Sequence, residues 1–131
     1  MDKDAFTKFK FSKEQIHSYF DSCSKKLQIA EQFQQSEIRF KFAYDTLIKL
    51  GITLLATEGF KVKSMPGHHI KIIEALTTLL KDEDIDILGN RMRKQRNLDL
   101  YDEGLAPTEK ENAIYLKLVK SIHKKVQQRL P

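Results

Sequence analysis

The stretch "FKFAYDTLIKLGITLLATEG", residues 40–59, decides the fold. Its apolar residues recur every three or four positions instead of alternating, which indicates a helix with a wide apolar face. Ala43 and Tyr44 broaden that face further. We therefore predict a long helix that starts near Ser36 and lies at the centre of the molecule. Gly59 suits the position just after this helix, because a left-handed backbone conformation costs glycine least.

Capping-box spacing predicts the first and the last helix. Ser12 and Gln15 begin a helix that should run to about Gln34, and Thr108 and Glu111 begin the last one. In both segments the apolar residues recur at spacings of three and four, which builds one inward stripe per helix. The two stripes are Ile16, Phe20, Cys23, Leu27 and Ala30, and Leu116, Val119, Ile122 and Val126.

Two further helices are predicted between these. The segment "GFKVKSMPGHH", residues 59–69, is typical of a connection, in which Pro66 can open a new helix. Asp82 or Asp84 can cap the fourth helix, and the neighbouring acids favour its positive N-terminal end. The apolar positions of the two helices are Ile70, Ile73, Leu76, Leu79 and Leu80, and then Ile85, Leu88 and Met92.

The predicted fold class is all-α, because no segment shows sustained strand alternation. We expect an up-and-down bundle of about four to five helices with mostly antiparallel neighbours. A length of 131 residues suits a single domain, residues 1–131, with a real core.

The composition excludes several classes of protein. Hydrophobic residues make up 40% and charged residues 31%, as in a globular domain rather than a disordered chain. The longest apolar stretch is too short to cross a bilayer, so we expect no membrane insertion. Cys23 is a single cysteine and we find no signal peptide, so we expect a cytoplasmic protein. The net charge of +5 is compatible with RNA but does not by itself indicate it.

No motif for a metal or a nucleophile stands out. His68 and His69 are adjacent, but no HExxH, cysteine pair or carboxylate–histidine spacing accompanies them. We therefore expect no metal and no cofactor, and we interpret both histidines as residues of a loop or of a first helical turn. Cys23 falls on an apolar stripe, which favours a small buried residue over a reactive thiolate.

The segment "RMRKQRNLDLYD", residues 91–102, concentrates the polar chemistry. An arginine offers bidentate donors, an amide can orient a phosphate, and a phenol can stack or donate a hydrogen bond. The pattern fits equally well a purely structural helix end, in which Arg96 pairs with an aspartate and the other cations are solvated. The candidate catalytic residues are Arg96, Asn97, Tyr101 and Asp102, and the candidate nucleic-acid contacts are Arg91, Arg93 and Lys94.

This segment resembles the signature "R..RN…YD" of proteins of the HEPN superfamily, the small helical domains named for nucleotide binding in higher eukaryotes and prokaryotes. The stretch "YDTLIKLGITLLATEGFKVKSMPGHHIKIIEAL", residues 44–76, also resembles the long second helix of that family, its glycine–aromatic break and its "GHH" entry to the next helix. The likeness spans roughly residues 12–128.

The resemblance implies a helical bundle that forms a symmetric homodimer. Many HEPN proteins are metal-independent endoribonucleases, often toxins with a nucleotidyltransferase-type antitoxin as partner. The resemblance places Arg96 at the family's catalytic arginine and Asn97 at the polar position beside it. The family's histidine falls on Tyr101, followed by Asp102, and a neutral phenol is a poor acid–base group near pH 7. Enzymatic activity is therefore left open.

Three functions follow as hypotheses from these observations. The first is a HEPN-like protein that acts on or binds RNA or a nucleotide, as part of a toxin–antitoxin or defence system. The second is a non-catalytic helical module for dimerisation or partner binding, which the absence of the histidine favours. The third is a helical scaffold without ligand, in which Arg96 pairs with Asp102.

Overall fold

The computed structural model describes residues 2–99 and 106–131. Within these ranges the chain forms five helices and one small antiparallel sheet, so the predicted all-α bundle is confirmed. Also within these ranges, no helix combines the length and the apolar composition that a membrane span requires. In chain order the elements are β1 (Phe6–Lys8), α1 (Lys13–Gln32), α2 (Ser36–Thr57), β2 (Phe60–Val62), α3 (His68–Leu80), α4 (Glu83–Asp99) and α5 (Glu109–Gln127).

Both predicted capping boxes are present. The Ser12 hydroxyl accepts a hydrogen bond from the Gln15 backbone N–H at 3.1 Å, and the Gln15 side chain accepts one from the Ser12 backbone at 2.9 Å. Thr108 and Glu111 make the same reciprocal pair at the start of α5. Each box satisfies N–H groups that the first turn of a helix leaves without a partner.

The ends of the helices follow local backbone preferences. Helix α1 ends at Gln32, two residues earlier than predicted, because Phe33 adopts an extended conformation. Gly59 follows the cap of α2 with φ of 87°, the left-handed conformation expected of it. At α4, the choice between two aspartates falls on Asp82, whose carboxylate accepts a hydrogen bond from the Asp84 backbone N–H at 3.1 Å.

Helix α2 is the central element, as predicted, and packs against all four other helices. Nearly its whole length is buried, because residues on every side of it meet a neighbour. The buried residues are Phe40, Ala43, Tyr44, Thr46, Leu47, Ile48, Leu50, Gly51, Thr53, Leu54, Leu55 and Ala56.

Helices α2 and α3 approach each other closely at Gly51. A Cβ atom on Gly51 would lie 2.3 Å from Cγ2 of Ile72, so the two helices approach more closely than any side chain at residue 51 allows. Tyr44 precedes Gly51 by seven residues, about two turns, and so lies on the same face of α2. Along α3, His69 contacts Tyr44 and Leu76 contacts Gly51, so successive turns of α3 meet successive turns of α2.

Two sequence predictions for the middle of the chain were incomplete or wrong. The segment predicted as a connection contains β2, which pairs with β1 in the register Phe6↔Val62. Three-residue strands are too short to show alternation, so periodicity could not reveal them. Ile70 was expected on the apolar face of α3 but is 42% exposed. It lies one turn before Glu74, which is also exposed, whereas Ile72 and Ile73 face the core.

Candidate functional site

Arg96 is the member of the predicted site that the structure places in a defined environment. It lies near the C-terminal end of α4, with its guanidinium carbon 5.5 Å from the centre of the Tyr44 ring. Asn97 is exposed on the adjoining face of α4. Tyr101 and Asp102, the remaining candidate catalytic residues, lie outside the described residues, as does the proposed pairing of Arg96 with Asp102.

The position of Arg96 follows from the periodicity of α4. Ile85, Gly89 and Met92 face the core and are buried. Arg96 comes four residues after Met92 and continues this stripe beyond the core, where its side chain is exposed. The stripe ends above Tyr44, so the cation lies over an aromatic ring at the edge of the core.

Beneath Arg96, Tyr44 is bonded to a histidine from α3. Tyr44 is 3% exposed, and its hydroxyl lies 2.8 Å from Nδ1 of His69. The two ring centres are 5.6 Å apart. His68 packs its ring edge-on against His69 at 4.5 Å, and its own Nδ1 donates to the Met65 carbonyl at 2.9 Å. Arg96, Tyr44 and His69, which we name the Arg96 cluster, therefore come from three different helices.

Burial and neighbouring cations set the protonation of the Arg96 cluster. Burial raises the pKa of Tyr44 to about 12, against a smaller lowering by Arg96 and Arg93. Burial first, and then repulsion from His68 and Arg96, lowers the pKa of His69 to about 4. At neutral pH the cluster thus contains a neutral phenol, a neutral imidazole and a charged guanidinium.

The three cations predicted to contact nucleic acid lie on different faces of α4. Arg91 lies over the ring of Tyr115, 5.7 Å from its centre. The Nε atom of Arg93 donates to the side-chain oxygen of Asn90 at 3.1 Å, and Lys94 is exposed. Of the three, Arg93 acts on the Arg96 cluster, where it lowers the pKa of both Tyr44 and His69.

Among the side chains that the structure describes, those of residues 2–98 and 106–131, the arginines of α4 have no carboxylate partner. The ion pairs found there join lysines to Asp2, Asp45, Asp82, Glu31 and Glu74, and none of them includes an arginine. The Arg96 guanidinium lies over the Tyr44 ring, and a guanidinium carries five N–H donors in its plane. The described residues also hold no group of three or more histidine, cysteine or acidic side chains placed to bind a metal ion.

Sequence reasoning missed Tyr44 and His69 as members of the site. Tyr44 was assigned to the apolar face of the central helix, which is correct for its ring but overlooks its hydroxyl. His69 was interpreted as a residue of a loop or a first turn, and it is indeed the second residue of α3. Neither residue has a spacing relation to Arg96 along the chain, so no sequence pattern could join them.

A second histidine is held by a comparable but separate set of contacts. His123 of α5 lies with Nε2 2.8 Å from the Ser24 hydroxyl, and its ring stacks on Phe20 at 4.5 Å. Burial lowers the pKa of His123. The Ser24 hydroxyl also donates to the Phe20 carbonyl, so the contacts of His123 join α5 to α1. None of these contacts involves an arginine or the start of a helix.

Comparisons with protein-family models, with curated proteins and with solved structures give no significant match. The site is therefore interpreted from its own geometry.

Proposed function

We propose that this chain is a HEPN-like protein that acts on or binds RNA or a nucleotide, and that Arg96 holds a phosphate group. The observation that carries the proposal is the placement of Arg96 over Tyr44, beside His69, without a carboxylate partner among the described residues. The resemblance of residues 91–102 to the HEPN signature supports the same assignment from the sequence.

Stacking on Tyr44 prepares the guanidinium for bidentate recognition. The attraction between the cation and the ring holds the guanidinium near Tyr44 and restricts its movement. The in-plane N–H groups stay available, and two of them match two oxygens of a phosphate. A lysine at the same position would supply charge but no planar fork.

The surroundings of Arg96 favour an anion. Arg93 lies three residues earlier on the same side of α4, and Lys94 is exposed next to it. No acidic residue lies in the first turn of α3, which begins at His68 beside the Arg96 cluster. Phosphate binding would therefore meet attraction from two arginines and no neighbouring repulsion from that helix start.

The wider biological role rests on the resemblance. In this proposal the chain forms a homodimer, has a nucleotidyltransferase-type antitoxin as partner and belongs to a toxin–antitoxin or defence system. Metal-independent cleavage of RNA is the activity to be tested, with Arg96 and Asn97 contacting the scissile phosphate and Tyr101 and Asp102 completing the site.

The proposal is tested by RNA binding and RNA cleavage with matched arginine variants. The affinity for a fluorescent RNA oligonucleotide is measured by anisotropy at two salt concentrations, and tRNA integrity is followed on a gel. Arg96→Ala should weaken binding by about tenfold or more, since one charge-assisted bidentate contact is lost. Arg129→Ala removes an exposed cation at the far end of α5 and should change affinity less than about twofold.

Two results would overturn this proposal. One is an absence of RNA and nucleotide binding by the folded wild-type protein, and the other is equal loss of affinity in Arg96→Ala and Arg129→Ala. Arg96→Lys separates charge from geometry, because it keeps the charge and loses the fork. Thermal denaturation of each variant shows whether a loss of binding reflects loss of folding.

The alternative is a non-catalytic module for dimerisation or partner binding, and the outer face of α4 favours it. Ile87 and Leu98 are 62% and 49% exposed and lie eleven residues apart, just over three full turns, on one face. Arg91 and Lys94 lie between them and are exposed as well. Replacement of Ile87 and Leu98 by glutamate should turn a dimer into a monomer in light scattering if this face is the interface.

A further inference from the structure

The hydrogen bond between Tyr44 and His69 defines which nitrogen of His69 carries the proton. The Tyr44 hydroxyl makes no other hydrogen bond within the described ranges, and Tyr44 is almost completely buried. If Nδ1 of His69 were the donor, the phenol proton would be buried without an acceptor, which is costly. The phenol must therefore donate, and the neutral ring of His69 carries its proton on Nε2.

The edge of His69 opposite Tyr44 reaches the surface. The Nε2 atom of His69 makes no hydrogen bond to a described residue, and it is not completely buried. His69 is partly exposed as a residue. The Nε2–H group thus points away from Tyr44 and is available to a ligand on the side of the cluster that solvent reaches.

We infer that Tyr44 is a positioning residue that holds His69 as a neutral Nε2–H donor, so that His69 joins Arg96 in binding the phosphate. The inference rests on the proposed function and adds two residues to its site. Tyr44 contacts both partners, with its ring under Arg96 and its hydroxyl on Nδ1 of His69. One side chain of α2 therefore orients a donor from α3 and a donor from α4.

The charged groups around His69 keep its ring neutral. His68 on α3 and Arg93 and Arg96 on α4 all disfavour a second proton, and burial disfavours it more strongly. Asp45 on α2 acts in the opposite direction, but its effect is smaller than that of burial, of His68 or of Arg96. His69 should accordingly donate one hydrogen bond without a change of charge across the range in which a free histidine titrates.

The tautomer can be tested without any ligand. Nitrogen–proton correlation spectra of the full chain distinguish an imidazole protonated on Nε2 from one protonated on Nδ1. We expect His69 in the Nε2–H form in the wild type, and a mixture of both forms in Tyr44→Phe. A wild-type His69 protonated on Nδ1, or exchanging between the two forms, would overturn the inference whatever the protein binds.

Binding of hexauridylate across a pH series tests the role of the donor. Its internal phosphodiesters do not titrate between about pH 5.5 and 8, so changes in affinity report on the protein. The wild type should bind with nearly constant affinity over this range. Tyr44→Phe keeps the ring beneath Arg96 and leaves His69 as buried as before, so its pH profile should be equally flat. Without the Tyr44 hydroxyl the proton of His69 can move to Nδ1, so the affinity should fall about twofold or more at every pH.

Three further variants complete the design. Tyr19→Phe removes a hydroxyl from an exposed tyrosine of α1 and should behave as the wild type. His69→Ala should weaken binding about fivefold at pH 7.5, and His69→Gln, which places an amide N–H near the Nε2 position, should restore most of it.

The outcomes separate this inference from the proposed function. A wild type that does not bind hexauridylate overturns the proposed function and the role of His69 in it. A wild type that binds, together with a Tyr44→Phe variant that binds as tightly and keeps His69 in the Nε2–H form, overturns the inference alone.

Discussion

Replacement of Gly51 by alanine should destabilise the protein, although alanine is the better helix former. The new Cβ would lie 2.3 Å from Cγ2 of Ile72 and 3.2 Å from Cδ1 of Leu76, both on buried residues. An overpacked core costs about 1–3 kcal/mol, and a contact this short indicates the upper end of that range. Alanine in place of glycine within a helix recovers roughly 1 kcal/mol. We therefore expect a net loss of about 1–2 kcal/mol, with a melting temperature lower by about 3–8 °C in a chain of this size.

The matched control is Gly89→Ala in α4. There the new Cβ would lie 3.1 Å from Cγ2 of Ile73 and 3.7 Å from its other neighbours, so a small shift accommodates it. Its stability should be unchanged or higher by up to about 1 kcal/mol, because the helical preference dominates. Urea denaturation followed by circular dichroism measures both variants.

A double-mutant cycle with Ile72→Ala checks the physical cause. The double variant should lose less stability than the two single variants together, since removal of Cγ2 relieves the clash. If Gly51→Ala is as stable as Gly89→Ala, or if its cost is unchanged when Ile72 is truncated, the close packing of α2 on α3 is not what requires glycine.

Three other predictions follow from single contacts. The pKa of His69 is about 4 in the folded protein against an ordinary value of 6.5, so the unfolded chain binds the proton first and the free energy of unfolding should fall as pH decreases from about 6.5 to 4. His69→Gln should make the urea midpoint less sensitive to pH in this window, and an equally steep dependence would contradict the assignment. Thr108→Ala removes the capping box of α5 and should lower the free energy of unfolding by about 1 kcal/mol, whereas Ser121→Ala, at an exposed position in the same helix, should leave it almost unchanged. Equal melting temperatures for the two variants would refute the role of the cap. The thiol of Cys23 is completely buried and burial raises its pKa to about 11, so a thiol reagent should react with it far more slowly in the native protein than in urea, and equal rates would show that this part of the core opens.

Most of the fold could be read from local signals in the sequence. The capping boxes at Ser12 and Thr108 depend on residues three positions apart, and both appear as predicted. The inward stripe of α1 was also predicted residue by residue, because a periodic apolar face must be buried somewhere. The stripe of α5 was predicted in part, since Asn112, Tyr115 and Leu118 are buried as well. The paired strands at Phe6–Lys8 and Phe60–Val62 could not be predicted, since each finds its partner more than fifty residues away.

The candidate site was predicted only in part. Arg96 was selected from the composition of one segment, and its position over a ring follows from the periodicity of α4. Asn97, which the same segment suggested, lies exposed beside it. The roles of Tyr101 and Asp102, the homodimer and the RNA or antitoxin partners stay predictions, because the contacts that would decide them lie outside the described residues or in other molecules.

The sequence by itself determined the helices, their starts and their buried faces, because these depend on interactions within a few residues of the chain. Tertiary structure alone decided that the phenol of α2, the imidazole of α3 and the guanidinium of α4 meet. The physical reason is the packing of α3 on α2, which is closest at Gly51 and which also brings His69, in the first turn of α3, to Tyr44. Since Tyr44 and Arg96 are more than fifty positions apart and His69 lies between them, only the packing of three helices brings these side chains together.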